Sequence, residues 1–453
     1  MNSGELRFSA AELEASGTGV WQGQGVSVTG VFTDSRKASP GALFIALSGE
    51  KFDAHNFLDK AVAAGAAALC VERSKAHLAP AGVPLLLTEN TLSSYQKLAL
   101  FHRRRFSDLT VFGITGSVGK TSVKEILRAI CIAAAGSEDK VLWTLENTNN
   151  QVGVPLNLFR LNSGHRFAVL EAGTNHFGEI APLSSCIEPG IALVNSVAPC
   201  HLEYLLSLEG VAEEKSHICD GLLPGGCAVF PAACPQLEIL KQKAPGKLLL
   251  FGSESGHVRC TYLGGSLHGS RVRLTFPDGR ELGFEWSLTG AHQALNAAAA
   301  AAAAWAAGIP PETIVAGIVN TTLPGGRSRI FKSGGITCID DTYNANPAAV
   351  HAALKNLHEF ADPEKLVLLL GEMRELGDVS FEAHEGVKKL VRELFPGVRC
   401  VLVGSAYGQE ALPDSAAAGE FLKGVLRPGD LLFAKGSRGV ALEKALPPAD
   451  QES

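Results

Sequence analysis

Residues 111–122 read Val-Phe-Gly-Ile-Thr-Gly-Ser-Val-Gly-Lys-Thr-Ser, and their types and spacing suit phosphate chemistry. An apolar run enters a Gly-rich turn, and a helical pattern follows. Gly116 and Gly119 would let backbone N–H groups curl around phosphate oxygens with no Cβ in the way. The start of the helix adds the positive end of its dipole. Lys120 can reach the β and γ phosphates, and the Thr121 hydroxyl can ligate Mg²⁺. The strict GxxxxGK[ST] spacing is missed by one position, because Ile114 stands where the first glycine belongs. The simpler alternative is a Gly-rich strand–helix turn with an incidental lysine. The preceding strand, the Lys-Thr-Ser run and the following helix together point instead to a nucleoside triphosphate. It would be held by Thr115, Gly116, Ser117, Val118, Gly119, Lys120, Thr121 and Ser122. That names a ligand and not a reaction.

Other residues could act beside this loop. Glu171 closes the apolar run 167–170, at the carboxyl end of a strand, where ligands of open α/β sheets gather. A carboxylate there suits hard Mg²⁺. His201 follows another such run and a proline. Cys200 beside it has no second soft ligand at usable spacing, so zinc is not expected. His292 and Asn296 are four apart and share one face of a helical stretch. Asn150 lies in the polar turn 149–153, where it could hydrogen-bond a reacting carboxylate or phosphate.

The elements that must position these groups fall into three segments. Residues 1–88 carry short β-like runs (26–32, 42–47, 68–71, 84–87) around a helical pattern at 57–64. Residues 89–324 begin with a helix at about 93–105 and continue with a strand at 109–114. Apolar runs then alternate with helices, as in a doubly wound parallel sheet. Between 247 and 286 the pattern becomes alternating, with Pro277-Asp278-Gly279 as a hairpin turn, which predicts an antiparallel flap. An Ala-rich helix over 291–307 stops at Gly308-Ile309-Pro310. Leu323-Pro324-Gly325-Gly326 reads as a hinge. Residues 325–453 form a second, Rossmann-like α/β unit with strands at 336–339, 366–370, 398–403 and 431–434. The expected fold is therefore α/β in three domains.

Composition narrows the class. The chain has 453 residues, 46% hydrophobic and 19% charged, with a net charge of −6, so nothing favours a nucleic-acid partner. The run Arg103-Arg104-Arg105 is read as the solvated end of a helix. No apolar stretch approaches the ~20 residues of a membrane span, and the start of the chain does not read as a signal peptide. Ten scattered cysteines with no CxxC pair argue against disulfides and zinc fingers and for a reducing cytoplasm.

The loop 115–121 resembles that of the Mur ligase family, and further motifs agree in order and spacing. They are Asn149-Asn-Gln-Val-Gly-Val-Pro155, Leu170-Glu-Ala-Gly-Thr-Asn-His176, Ala198-Pro-Cys-His-Leu-Glu203, Gly210-Val-Ala-Glu-Glu-Lys215, Gly290-Ala-His-Gln-Ala-Leu-Asn296, Gly326-Arg327 and Asp340-Asp-Thr-Tyr-Asn-Ala-Asn-Pro347. The resemblance spans residues 28–440. It implies ATP-dependent amide-bond formation through an acyl-phosphate, with Mg²⁺, two ions being expected. Within the family, Thr33-Asp-Ser-Arg-Lys37, the run 47–55, Glu171–Glu179 and the 343–346 stretch resemble the branch that adds D-alanyl-D-alanine to UDP-N-acetylmuramoyl-tripeptide in peptidoglycan synthesis. The third-residue-adding ligase is the alternative, but its Asp-Asn-Pro-Arg tetrad is absent. A folylpolyglutamate synthase is a second one, and the nucleotide-sugar-like first segment argues against it.

The resemblance also implies roles. Glu171 and His201 would be metal-site residues, and Lys215 would be carbamylated so as to bind a second Mg²⁺. With Lys120 and Asn150 these form the expected catalytic set; the metal set is Thr121, Glu171, His201 and Lys215. His292 and Asn296 would surround the adenine, with Gln293 replacing the family's commoner Asn. Arg327 and Asp341 would grip the γ-phosphate and the ribose hydroxyls, so the last domain must close over ATP. Tyr343, Asn344, Asn346, Lys435, Ser437 and Arg438 would line the dipeptide pocket. Asp34, Ser35, Arg36, Lys51, Asp53 and His55 would hold the UDP end. A cytoplasmic monomer is expected.

Overall fold

The computed structural model describes residues 6–37, 39–49 and 52–450. Runs of β-branched and aliphatic residues build its central sheet, which has nine strands. Val141–Trp143, Phe167–Glu171, Thr110–Thr115, Ile191–Val194, Cys227–Pro231 and Lys247–Gly252 lie side by side and parallel. Both faces are covered, so the inner strands are buried along nearly their whole length and Lys247–Gly252 only at its end, and alternate residues enter two separate cores. Phe112, Ile114, Val169 and Leu193 face one core. Val111, Ala168, Leu170 and Val194 face the other.

The predicted antiparallel strands Val258–Ser266, Gly269–Thr275 and Glu281–Trp286 form, with the hairpin turn at Gly279 in the left-handed region. They continue the central sheet rather than standing apart from it. Lys247–Gly252, read from sequence as part of this flap, is a parallel strand of the sheet. The period of two is common to both settings, so it could not tell them apart.

The helix Ala291–Ala306 lies on the first core, against the sheet and the phosphate-loop helix Lys120–Ala135. All eight consecutive alanines, 297–304, are fully buried. Side chains this small let three elements approach closely, which accounts for the composition. Gly317 in the helix Pro311–Val319 serves the same purpose. A Cβ there would come within 2.3 Å of Ile130 Cα.

Two smaller sheets flank this body. One joins Val20–Gln22, Leu85–Thr88, Ala68–Glu72, Leu43–Ile45 and Val31–Phe32. The expected strand at 26–32 splits, because Ser27–Val28 pairs with Phe8–Ser9 in a separate two-stranded ribbon. The other sheet orders Arg329–Ser333, Ile336–Asp341, Leu431–Lys435, Leu366–Gly371 and Arg399–Val403. Its antiparallel edge strand Arg329–Ser333, absent from the sequence reading, pairs with Ile336–Asp341 across Gly334-Gly335.

Of the arginine run 103–105, Arg104 and Arg105 are exposed at the helix end as expected, and Arg103 is not. Arg103 is buried and donates to the carbonyls of Ile187, Glu188 and Phe106. Arg104 forks onto Glu188, and Arg105 pairs with Glu12 while lying over Phe8. The run ties the first segment to the central one.

Candidate active site

The strand Thr110–Thr115 delivers its last residue into the turn 116–119, and Gly119, with φ 82°, caps the helix Lys120–Ala135. A Cβ at Gly119 would meet Asn296 Oδ1 at 2.7 Å, and one at Gly116 would overlap the Asn195 amide. Both glycines are thus required by close approach as well as by phosphate access. Lys120 Nζ donates back to Gly116 O at 2.7 Å.

Thr121 is the junction of the site. Its hydroxyl donates to Glu171 Oε2 at 3.1 Å and accepts from Arg327 Nη2 at 3.1 Å. Glu171 is 2% exposed, and its other oxygen takes Asn149 Nδ2 at 2.9 Å. No Lys, Arg or His pairs with it among the described residues. A buried carboxylate held only by neutral donors is an uncompensated anion, an arrangement that suits a hard cation. Among the described residues, no three His, Cys, Asp or Glu side chains gather as a metal group.

His201 lies across from this pair with φ 51°. Its Nδ1 is 2.9 Å from Glu375 Oε2, an ion-pair distance without hydrogen-bond alignment. Burial depresses the imidazole pKa, Glu375 pulls it up, and Lys120 and Lys215 push it down again. Lys215 is 1% exposed, in the helix Leu208–Ser216. Burial lowers its pKa to about 8, with Lys120 helping and Cys200 and Glu214 opposing. Glu214 does not offset that charge by direct contact. Its carboxylate accepts from the N–H groups of Gly178, Glu179 and Ile180, at the start of the helix Ile180–Ile187.

The central sheet and the sheet that contains Ile336–Asp341 meet over one cleft of about 780 Å³. Its lining includes 117–122, Asn150, Glu171, His201, His292, Asn296, Arg327, Asp341, Tyr343, Asn344, Asn346 and Lys435. Thr115, Gly116 and Lys215 are not among its lining residues. Desolvation pushes the His292 pKa down to about 4 despite Asp341, so the ring is neutral. Arg327 stacks on Tyr343 at 3.8 Å. Leu267, at the tip of a central-sheet hairpin, packs into the core of the last sheet, and Tyr262 Oη donates to Glu359 at 2.6 Å.

Several expected substrate contacts are already engaged within the protein. Lys435 Nζ pairs with Asp341 at 2.6 Å and donates to Asn344 O. Asn346 caps the helix Pro347–His358, and Ser437 donates to Ala345 O. Ser437 and Arg438 lie outside the cleft lining. Asp34 and Arg36 pair with each other, and Ser35 lies between them. Asp53 takes Lys75 at 2.9 Å and His55 Nδ1 at 2.6 Å, while His55 Nε2 accepts Glu72 N. Lys51 lies outside the described residues. None of the described N-terminal candidates reaches the cleft.

The structure adds residues that the sequence reading passed over. Asn149, not Asn150, touches Glu171; Asn150 Oδ1 caps the turn by accepting Val152 N and Gly153 N. Asn157, buried, holds the whole 145–153 loop through Leu145 N, Thr148 O and Gly153 O. The paired Asn-Asn was a visible signal for the first of these. The Glu375 contact had none.

Comparison with known proteins now decides the family. The model for the Mur ligase middle domain matches residues 114–304, that for the Mur ligase glutamate ligase domain 326–438, and that for the Mur ligase family catalytic domain 27–102. The UDP-N-acetylmuramoyl-tripeptide--D-alanyl-D-alanine ligase of Escherichia coli (strain K12) is 35% identical over 94% of this chain and 95% of its own. The chain belongs to the Mur ligase family. Among solved Mur ligases, MurF from Acinetobacter baumannii superposes with a TM-score of 0.87 at 32% identity, covering 98% of both chains. MurF ligase from Thermotoga maritima, solved in complex with ADP, gives 0.79 at 26% identity over 92% of this chain and 95% of that one.

Proposed function

We propose that this Mur ligase is an ATP-dependent enzyme that joins D-alanyl-D-alanine to UDP-N-acetylmuramoyl-tripeptide, making the pentapeptide precursor of peptidoglycan. The carrying observation is the Thr121 hydroxyl, shared between buried Glu171 and Arg327 of the opposite lobe. Identity of 35% to the E. coli enzyme over nearly both chains supports the substrate pair. The third-residue-adding and folylpolyglutamate alternatives have no comparable support.

The tripeptide carboxylate attacks the γ-phosphorus of ATP, the bond to the β-phosphate oxygen breaks, and ADP leaves. The dipeptide amine then adds to the acyl carbon, loses a proton, and phosphate departs. The obstacle in the first step is bringing two anions together, so positive charge must be aimed in advance. Lys120 and the Gly116–Gly119 turn provide it at the phosphates, and Arg327 provides it from the other lobe. Thr121 and Glu171 would hold one Mg²⁺; His201 and a carbamylated Lys215 would hold a second. Mg²⁺ bound there neutralises charge on the phosphoryl oxygens. A lysine pKa near 8 leaves some neutral amine at physiological pH, which CO₂ capture needs. His292 and Asn296 face the adenine side, and Asp341 the ribose. Closure of the last lobe keeps water from the acyl-phosphate. One chain completes the cleft, which supports a monomer. Ten free cysteines and the absence, among the described residues, of any helix able to cross a membrane are in keeping with a cytoplasmic site of action.

A coupled ADP-release assay tests the reading. Continuous turnover, read as many equivalents of ADP per enzyme, should require both the nucleotide-linked tripeptide and D-alanyl-D-alanine. Turnover with free D-alanine in place of the dipeptide would overturn the assignment.

A further inference from the structure

Lys124 takes no part in the mechanism above, yet it is a lysine with 1% exposure on the phosphate-loop helix. An ammonium so placed loses its hydration and is tolerated only where its donors are met. Here they are met specifically: Nζ lies 2.8 Å from Glu125 Oε1 and donates to Thr144 O at 3.0 Å. Thr144, fully buried, is the first residue beyond the strand Val141–Trp143. The ladder between that strand and Phe167–Glu171 ends at Trp143 and Val169. Thr144 extends it by two links. Its N–H donates to Val169 O at 3.1 Å, and its Oγ1 accepts Glu171 N at 2.8 Å. The hydroxyl thus occupies the place of a backbone partner for the residue that carries the cleft's unpaired carboxylate.

A closed circuit results. Thr121 and Lys124, three apart on one helix, reach Glu171 by two routes. One is direct, from the Thr121 hydroxyl to the carboxylate; the other runs from Lys124 through Thr144 to the Glu171 backbone. We infer that Lys124 and Thr144 are positioning residues that fix Glu171 against Thr121 and so set the affinity of this pair for a divalent cation. The inference rests on the reading that Glu171 holds such a cation. Loss of a group that orients a metal ligand in this way commonly costs about 10–100-fold in metal affinity.

The test measures metal binding directly, on the full chain with ADP, by following free Mn²⁺ with electron paramagnetic resonance. Thr144→Val keeps the side-chain shape and removes the hydroxyl; Lys124→Met removes the charge; Lys124→Arg keeps it. Thr144→Val and Lys124→Met should weaken Mn²⁺ binding about 10-fold, with Lys124→Arg in between and the KM for D-alanyl-D-alanine unchanged. If Lys124→Met does not fold, Thr144→Val and Lys124→Arg carry the decision. Wild-type Mn²⁺ affinity in folded Thr144→Val overturns the inference, whatever happens to turnover. Glu171→Gln separates the two readings. Weak binding in Glu171→Gln with normal binding in Thr144→Val removes only the brace. Normal binding in Glu171→Gln removes the metal assignment itself.

Discussion

Arg327 and Thr121, 206 positions apart, meet across the cleft with Nη2 3.1 Å from Oγ1. The contact places a guanidinium of one lobe on the hydroxyl that ends the phosphate loop of the other. Arg327→Ala should therefore lower kcat by about 10²–10³-fold, the usual loss when one aimed donor is removed from a charge-stabilising site. Steady-state kinetics with saturating dipeptide measure it. Arg327→Lys should recover little, since a lysine cannot keep both the Thr121 contact and the flat stacking on Tyr343. Recovery by lysine to near wild type would mean that charge alone matters.

Lys215 makes a stability prediction with a definite sign. Its folded pKa, about 8, lies below the ordinary 10.5, so the buried cation weakens the fold at pH below 8. The penalty, about 3 kcal/mol for such a displacement, fades as pH rises from 8 to 10.5. In CO₂-free buffer, Lys215→Met should be more stable than the parent chain at pH 7, and the gain should vanish near pH 10.5. Urea titrations across that range check it. A gain independent of pH would point to packing rather than charge.

Carbamylation makes a separate prediction at the same residue. Lys215→Ala should lose most activity, and short carboxylates such as acetate or formate should restore part of it by standing in for the carbamate. A full concentration series without rescue counts against the modification.

His55 is predicted to matter for stability rather than for binding the nucleotide sugar. It is 2% exposed and bonded through both ring nitrogens. His55→Leu leaves Glu72 N without its partner and should cost about 1–3 kcal/mol in urea unfolding. A wild-type midpoint together with a raised KM for the UDP substrate would return His55 to the binding site.

Gly317→Ala probes the helix packing behind the phosphate loop. Its new methyl would meet the Ile130 backbone, on the helix that begins at Lys120. The expected cost is about 1–3 kcal/mol, together with a higher KM for ATP as that helix is displaced. Thermal unfolding and kinetics with limiting ATP report the two effects.

What could be read in advance followed the range of the interactions concerned. The phosphate loop, the alanine helix and the hairpin at Gly279 depend on neighbours within a few positions, and their residue types declare them. That Glu171 lines the cleft was legible because it ends a strand of an open sheet. Whether Asn149 or Asn150 faces it depends on the pitch of a turn that composition does not specify. Lys435 looked free for substrate because its partner Asp341 lies 94 positions away, and His55 because Glu72 lies 17 positions on. Arg103 looked solvated for the same reason, its carbonyl partners lying 84 and 85 positions on. The edge strand Arg329–Ser333 was missed because its pairing is carried by backbone groups, and most of its side chains are exposed.

The eight buried alanines carry a mechanical consequence. A rod with identical small bumps along its length has no notches, so nothing in that stretch stops it from sliding in its groove. Its axial setting must come from its two ends. At one end Trp305 rests against Phe276, with ring centroids 5.7 Å apart. At the other, Asn296 bonds to Gln293 and touches the Gly119 turn. The indole contact lies 13 residues, about 20 Å along the axis, from His292. A change at Trp305, at a position with no chemistry of its own, would be felt at His292.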